Sequence, residues 1–101
     1  MTTQLQGCPG VTIELIQDSS AMNIQRSILA PGSQIPEHSH QVAETYVVVS
    51  GHGRMTGTHA RAVGPGDAGL VNANESHGWH NNGSDVLHVL CSFPASFSGA
   101  P

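Results

Sequence analysis

The sequence predicts an all-β domain, folded as an antiparallel barrel or sandwich. Glycine (12 residues) and proline (6) divide the chain into short segments, as expected of strands joined by tight turns. Valine-rich runs lie between these breaks, and branched side chains favour extended backbone. No apolar stripe of 3.6-residue period is long enough for a helical bundle. At 101 residues the chain suits one domain. Folding at this size buries roughly 60–70% of the unfolded chain's surface, enough for one modest core.

Taken in order, residues 1–9 are expected to form a loose N-terminal arm, and 10–97 a single domain. "VTIEL" (11–15) alternates and suits a strand, with "QDSSA" as a turn. "MNIQRSILA" (22–30) is a second strand, broken by "PGSQIP". "HSHQVAETYVVVSG" follows, and Gly51 and Gly53 bend the chain. "RMTGTHARAV" suits a hairpin turning near Gly57-Thr58, and "GPGD" (64–67) is a tight turn. "AGLVNANESHGWHN" leads to a turn at Asn82-Gly83, and "DVLHVLCSFP" (85–94) is a last strand ended by Pro94. The tail is small and polar apart from Phe97. Strands at this spacing are those of a barrel or sandwich.

The formal charge is -4, from seven acids against three arginines, Arg26, Arg54 and Arg61. With no lysine there is no Schiff-base chemistry, and no basic patch for a phosphate backbone, so no nucleic-acid partner is expected. There is no cationic helix for a membrane surface and no 18-residue apolar run, so no membrane partner is expected. The first thirty residues lack a charged-then-apolar secretory layout, so a cytoplasmic location is expected. Cys8 and Cys91 lie far apart and outside any CxxC pair. They are expected as free thiols, Cys91 in a strand and Cys8 near the loose terminus.

Seven histidines against three basic residues is the one odd count, and imidazole is the commonest metal ligand. His38, His40 and Glu44 stand at i, i+2 and i+6. If one strand runs unbroken from 38 to 48, they share a face with Tyr46 and Val48. Imidazoles with a carboxylate suit Zn, Fe, Mn, Ni or Co. The carboxylate also offsets part of a divalent charge in a dry interior. The plain alternative is a solvated strand face. The in-phase glutamate and the apolar tract after it argue against that alternative.

His77 precedes Asn82-Gly83, the favoured centre of a two-residue hairpin loop. With that turn Trp79 faces Val86 and His77 faces His88, so all four share one face. A three-residue loop would reverse the parity of His88. His52, His59 and His80 are expected to face solvent. Trp79 and Tyr46 are either core packing or walls of a pocket above the metal.

These residues resemble the cupin family. Its first motif, G-x5-H-x-H-x3,4-E-x6-G, is matched by Gly32, His38, His40, Glu44 and Gly51. Its second, G-x5-P-x-G-x2-H-x3-N, is matched by Gly66, His77 and Asn81, with Asn72 in place of proline and Asn74 in place of glycine. The two motifs lie within residues 32–81, about half of the chain. The resemblance implies a double-stranded β-helix, or jelly-roll barrel, holding one divalent transition metal ion on His38, His40, His77 and Glu44. It also implies a homodimer.

Two functions follow from such a site. The first is a metal-dependent enzyme acting on a small oxygen-bearing molecule (a carboxylate, enol or sugar-like compound) by dioxygenase or lyase–isomerase chemistry. His88 would then be its candidate acid–base group if it faces the cavity, or a partner that orients His77. Arg26 is a candidate anchor for a substrate carboxylate. The second is a non-catalytic small-molecule-binding or sensor protein. The fold does not choose between them.

Overall fold

The computed structural model describes residues 2–94; Phe97 and the domain limit expected at 97 lie outside the described residues. Among these, ten strands and no helix occur. The strands are β1 (Thr2–Gln4), β2 (Val11–Asp18), β3 (Met22–Leu29), β4 (Gln34–His38), β5 (Glu44–Ser50), β6 (Gly53–Gly57), β7 (Arg61–Val63), β8 (Ala68–Val71), β9 (His77–His80) and β10 (Leu87–Pro94). They form a six-stranded sheet in the order β1-β2-β3-β10-β5-β8 and a four-stranded sheet in the order β4-β9-β6-β7. Every pairing is antiparallel.

From β3 onward the chain passes repeatedly from one sheet to the other, pausing only for the β6–β7 hairpin. This alternation makes the two sheets the walls of one container, a double-stranded β-helix. Its core draws on both walls. Leu29, Val48, Leu87, Val89 and Phe93 come from the larger sheet, and Ile35, Met55, Val63 and Trp79 from the smaller. Burying each such side chain contributes about 1.5–3 kcal/mol. Among the described residues, no helix is long and apolar enough to cross a membrane.

Three expectations are corrected. The N-terminal segment is not a loose arm: Thr2–Gln4 pair with β2 in the register Thr3↔Ile13, and Cys8 is buried. The free edge of β2 offers unpaired backbone groups, which β1 satisfies. Second, β2 runs on to Asp18, because a bulge between Leu15 and Gln17 absorbs the break in alternation. Third, no hairpin forms about Asn82-Gly83. β9 belongs to the four-stranded sheet and β10 to the six-stranded one, so Trp79 does not face Val86 and His77 does not face His88.

Asn81 redirects the chain at that point. Its fully buried Nδ2 donates to Leu29 O and Asp85 O, each at 2.8 Å, and its Oδ1 accepts from the Gly83 amide at 3.0 Å. Its backbone also ties the turn after β3, donating to Ser33 O and accepting from Gly32 N. The returning chain presses on Gly51, which has φ +85° and where an added Cβ would lie 2.2 Å from Val86 O. Only glycine combines that conformation with that approach.

Asn81→Ala strands two carbonyls and an amide that the side chain satisfies. The expected loss is about 2–3 kcal/mol of unfolding free energy, read by urea denaturation. A loss below about 1 kcal/mol would show that the carboxamide does not hold the crossover.

Candidate metal centre

The condition for a shared face, one unbroken strand from 38 to 48, is not met. β4 stops at His38 in the four-stranded sheet, residues 39–43 cross the barrel, and β5 starts at Glu44 in the six-stranded sheet. Within β5 the expected parity holds, with Glu44, Tyr46 and Val48 all buried. The break changes how the side chains meet. His38 and Glu44 approach from opposite walls, and His40 comes from the crossing between them. His77 begins β9 directly opposite His38 in the ladder.

The three imidazoles therefore form a compact triangle. Ring centroids lie 4.5 Å apart for His38–His77 and 4.8 Å for both His38–His40 and His40–His77. Their ligand-type nitrogens all fall within 4.8 Å of one another, so the triad can hold a metal ion. Glu44 closes the group. Its Oε1 contacts His77 Nε2 and lies 3.8 Å from His40 Nδ1.

Backbone carbonyls set two of the tautomers. His38 Nδ1 donates to Pro36 O at 2.7 Å, and His77 Nδ1 donates to Glu75 O at 3.2 Å. A carbonyl only accepts, so in the neutral rings the Nε2 lone pairs point the other way, toward the centre of the triangle. His38 Nε2 is buried there without a hydrogen-bond partner. Burial raises the Glu44 carboxyl above its ordinary range, and His77, His38 and Cys91 pull it partly back. Cys91 is buried behind Glu44. Burial first, and then the Glu44 carboxylate, push its thiol well up. Both cysteines are free.

The two departures from the second motif now have a physical reading. Asn74, in place of glycine, sits at φ 67°, a left-handed conformation that Asn tolerates better than other side chains. Its amide donates to His40 O at 2.6 Å, clipping the loop to the backbone of a triad residue. Asn72 uses the amide that proline would lack, donating to Glu75 Oε1 at 2.7 Å. Both asparagine side chains are exposed.

Tyr46 and Trp79 both face the interior and meet edge to face, with centroids 5.1 Å apart. Gly69 leaves room for the phenol, since a Cβ there would sit 2.7 Å from Tyr46 Oη. Arg61 donates to that oxygen at 3.2 Å. Phe93 packs edge-on against His40 at 5.8 Å. The sequence reading passed over Asn23, Gln25 and Ser27, which are buried on the inward face of β3. Their signal was the alternation of "MNIQRSIL", whose polar residues fall in phase.

His88 is not at the centre. It lies on the outer face of the six-stranded sheet, where its Nε2 accepts from Arg26 Nε at 2.7 Å, and Arg26 also pairs with Glu14. Both expectations for His88, as an acid–base group and as a partner orienting His77, depended on the hairpin that does not form. Arg26 likewise faces outward, away from any substrate in the barrel. His52 and His59 are exposed and His80 is half-buried.

A sequence model of the family described as "Cupin domain" matches residues 25–93. No curated protein sequence matches the chain. Many solved structures share the fold. The polyketide cyclase RemF from Streptomyces resistomycificus superposes with a TM-score of 0.81 at 20% identity, over 88% of this chain and 68% of that one. A cupin-2 domain protein from Rhodospirillum rubrum reaches 0.88 at 18% identity, over 98% and 72%. A protein described as a predicted oxalate decarboxylase from Thermotoga maritima reaches 0.81 at 23% identity, over 93% and 90%. At these identities the likeness is one of fold.

The position of His88 makes a titration prediction. Burial lowers its pKa below the usual 6.5, Arg26 lowers it further, and Glu14 opposes both. The folded state therefore favours the neutral ring. Its contribution to stability is present above pH 6.5 and is lost as pH falls through the lowered folded value. Followed by NMR, the His88 midpoint should rise in Arg26→Gln and fall in Glu14→Gln. An unchanged midpoint in both would remove the outer-face triad.

Proposed function

The chain belongs to the cupin family, and from that premise we propose that it binds one divalent transition metal ion on His38, His40, His77 and Glu44. On this reading it uses that ion to hold and transform a small oxygen-bearing molecule. The observation that carries the reading is the meeting of three imidazoles and a carboxylate in a closed interior, with the Nε2 of His38 buried and unsatisfied. A cation fits this donor set, since neutral imidazole nitrogens and a carboxylate are all electron-pair donors. When bound, such an ion supplies Lewis acidity and open positions for substrate oxygens.

The chain's own residues supply the rest. The Pro36 and Glu75 carbonyls fix the tautomers of His38 and His77. Glu44 supplies one negative charge against the ion's two. Tyr46 and Trp79 wall the space beside the centre. The reaction is of the dioxygenase or lyase–isomerase class. Binding without turnover is the second reading, and it is favoured by the outward position of His88. Without it, no imidazole outside the triad is buried among the described residues.

We further propose a cytoplasmic homodimer. The free thiols favour a reducing compartment. The outer face of the larger sheet carries Ile24, Ile28, Val47, Leu70 and Leu90 close together, an apolar surface suited to a second copy.

Elemental analysis tests the metal site. The protein as isolated should carry about one divalent transition metal per chain, and His40→Ala should lose it with the β circular dichroism retained. His88→Ala should keep it. Unchanged metal in His40→Ala would refute the site. Oxygen uptake with a β-diketone or flavonol by the metal-loaded protein would select the oxygenase class.

A further inference from the structure

Strand β3 is built inside out. Its outward residues include Ile24 and Ile28, whereas its inward residues Asn23, Gln25 and Ser27 are polar and over nine-tenths buried. A strand that serves only to pack a barrel shows the reverse pattern. Burying polar side chains costs free energy unless each finds a partner, so three in phase require a reason.

Hydrogen bonds within the fold supply only part of it. Gln25 Nε2 donates to Asn23 Oδ1 at 3.1 Å. That bond leaves Asn23 Nδ2 as a donor and Gln25 Oε1 as an acceptor. The Ser27 hydroxyl is wholly buried without a partner, as is Trp79 Nε1 across the barrel.

The register places this row beside the metal centre. Gln25 pairs with Cys91, and Cys91 lies behind Glu44. Asn23 pairs with Phe93, which packs on His40. β3 and β5 are separated by β10 alone, so the row lies roughly 10 Å from the strand of Glu44. A small molecule held at the triad spans that distance. Charge narrows its class. The sequence has no lysine, Arg54 and Arg61 are exposed, and Arg26 faces outward against Glu14. Among the described residues no arginine is buried, and Arg61, which reaches the Tyr46 hydroxyl, stands on β7 in the other sheet, so a carboxylate directed at β3 would meet neutral groups there.

We infer that Asn23, Gln25 and Ser27 form the recognition row for an uncharged, hydroxyl- or carbonyl-bearing part of the ligand, whose opposite end reaches the triad. This deepens the proposed function and rests on its metal site only for the position of that opposite end. It sets aside the anionic members of the substrate class and keeps the enol and sugar-like ones.

Three hydroxypyranones that chelate metals through the same oxygens make the test. At the same far ring position, kojic acid carries a hydroxymethyl group, comenic acid a carboxylate and pyromeconic acid hydrogen. Each is titrated calorimetrically into the zinc-loaded full chain. Kojic acid should bind about tenfold more tightly than pyromeconic acid, the worth of one good hydrogen bond. Comenic acid should gain nothing. The double variant Asn23→Leu/Gln25→Leu and the milder Ser27→Ala should each reduce the kojic acid advantage and leave pyromeconic acid unchanged. Ser27→Ala should melt at or above the parent Tm, because removing an unsatisfied buried hydroxyl relieves a cost. A fall in Tm of several degrees in Ser27→Ala, a preference for comenic acid, or an advantage untouched by the variants would overturn the row. Failure to retain zinc would instead refute the metal site, and the melting temperatures would still decide the row.

Discussion

The structure is organised around a crowding of lone pairs inside the barrel. His38 and His77 are turned by backbone carbonyls so that their Nε2 atoms look inward, and Glu44 brings a carboxylate against one of them. Acceptors this close repel one another unless a proton or a cation lies among them. The fold has to supply the framework that holds them there. The crossing at 39–43 sends the chain from one wall to the other, so ligand-type groups arrive from several directions. Asn74 accepts a left-handed conformation and clips the backbone of His40. Asn81 ties the far crossover to the end of β3. Asn74 fixes backbone beside the triad and Asn81 fixes the opposite end of the barrel, and together they make the triad's geometry a property of the barrel rather than of one strand.

The larger sheet shows a second organisation, visible in its rows. At one end Val11, Leu29 and Leu87 form a wholly apolar row. Two residues along, Ile13, Ser27 and Val89 admit one hydroxyl. Next come Gln25, Cys91 and Tyr46, and then Asn23 and Phe93, with Glu44 beginning β5 two residues before Tyr46. The interior thus grades from hydrocarbon to polar over about 20 Å, the rise of six residues in a strand. The apolar end supplies the burial that holds the barrel closed, and the polar end can then carry groups that contribute little to stability. This division matches the general observation that sites are set on scaffolds whose stability lies elsewhere.

Much of this was legible in the sequence, for identifiable reasons. Gly and Pro positions marked the strands, and the phase of Glu44, Tyr46 and Val48 marked the inward face of β5. The resemblance to the cupin motifs, rather than spacing by itself, implied that His38, His40 and His77 meet. Readings failed where they treated a local rule as decisive. Asn82-Gly83 is a good hairpin centre, but Asn81 uses its carboxamide to carry the chain into the other sheet, so the parity argument for His88 had no ladder to act through. The shared face that one strand from 38 to 48 would give failed similarly: alternation is a property of continuous pairing, and the pairing partner changes between His38 and Glu44. The N-terminal strand was invisible because its three residues are held by the open edge of β2, a long-range cause that their own sequence does not carry.

Charge accounting joins the two organisations. Were a divalent ion bound among neutral histidines, Glu44 would offset one of its two charges and leave one positive charge in an interior of low dielectric. Among the described residues the other carboxylates are exposed or half-buried, so none shares that role. The residual charge favours a ligand that arrives neutral and gives up one proton on binding, as an enol or an α-hydroxyketone does. Such a ligand needs no cationic anchor at its other end, and the chain places none there. It needs neutral donors and acceptors, which the inward face of β3 supplies. A dianionic ligand would reverse the sign of the excess and would face uncharged carboxamides where it required an arginine. The single carboxylate of the centre and the uncharged row on β3 are therefore parts of one electrostatic arrangement.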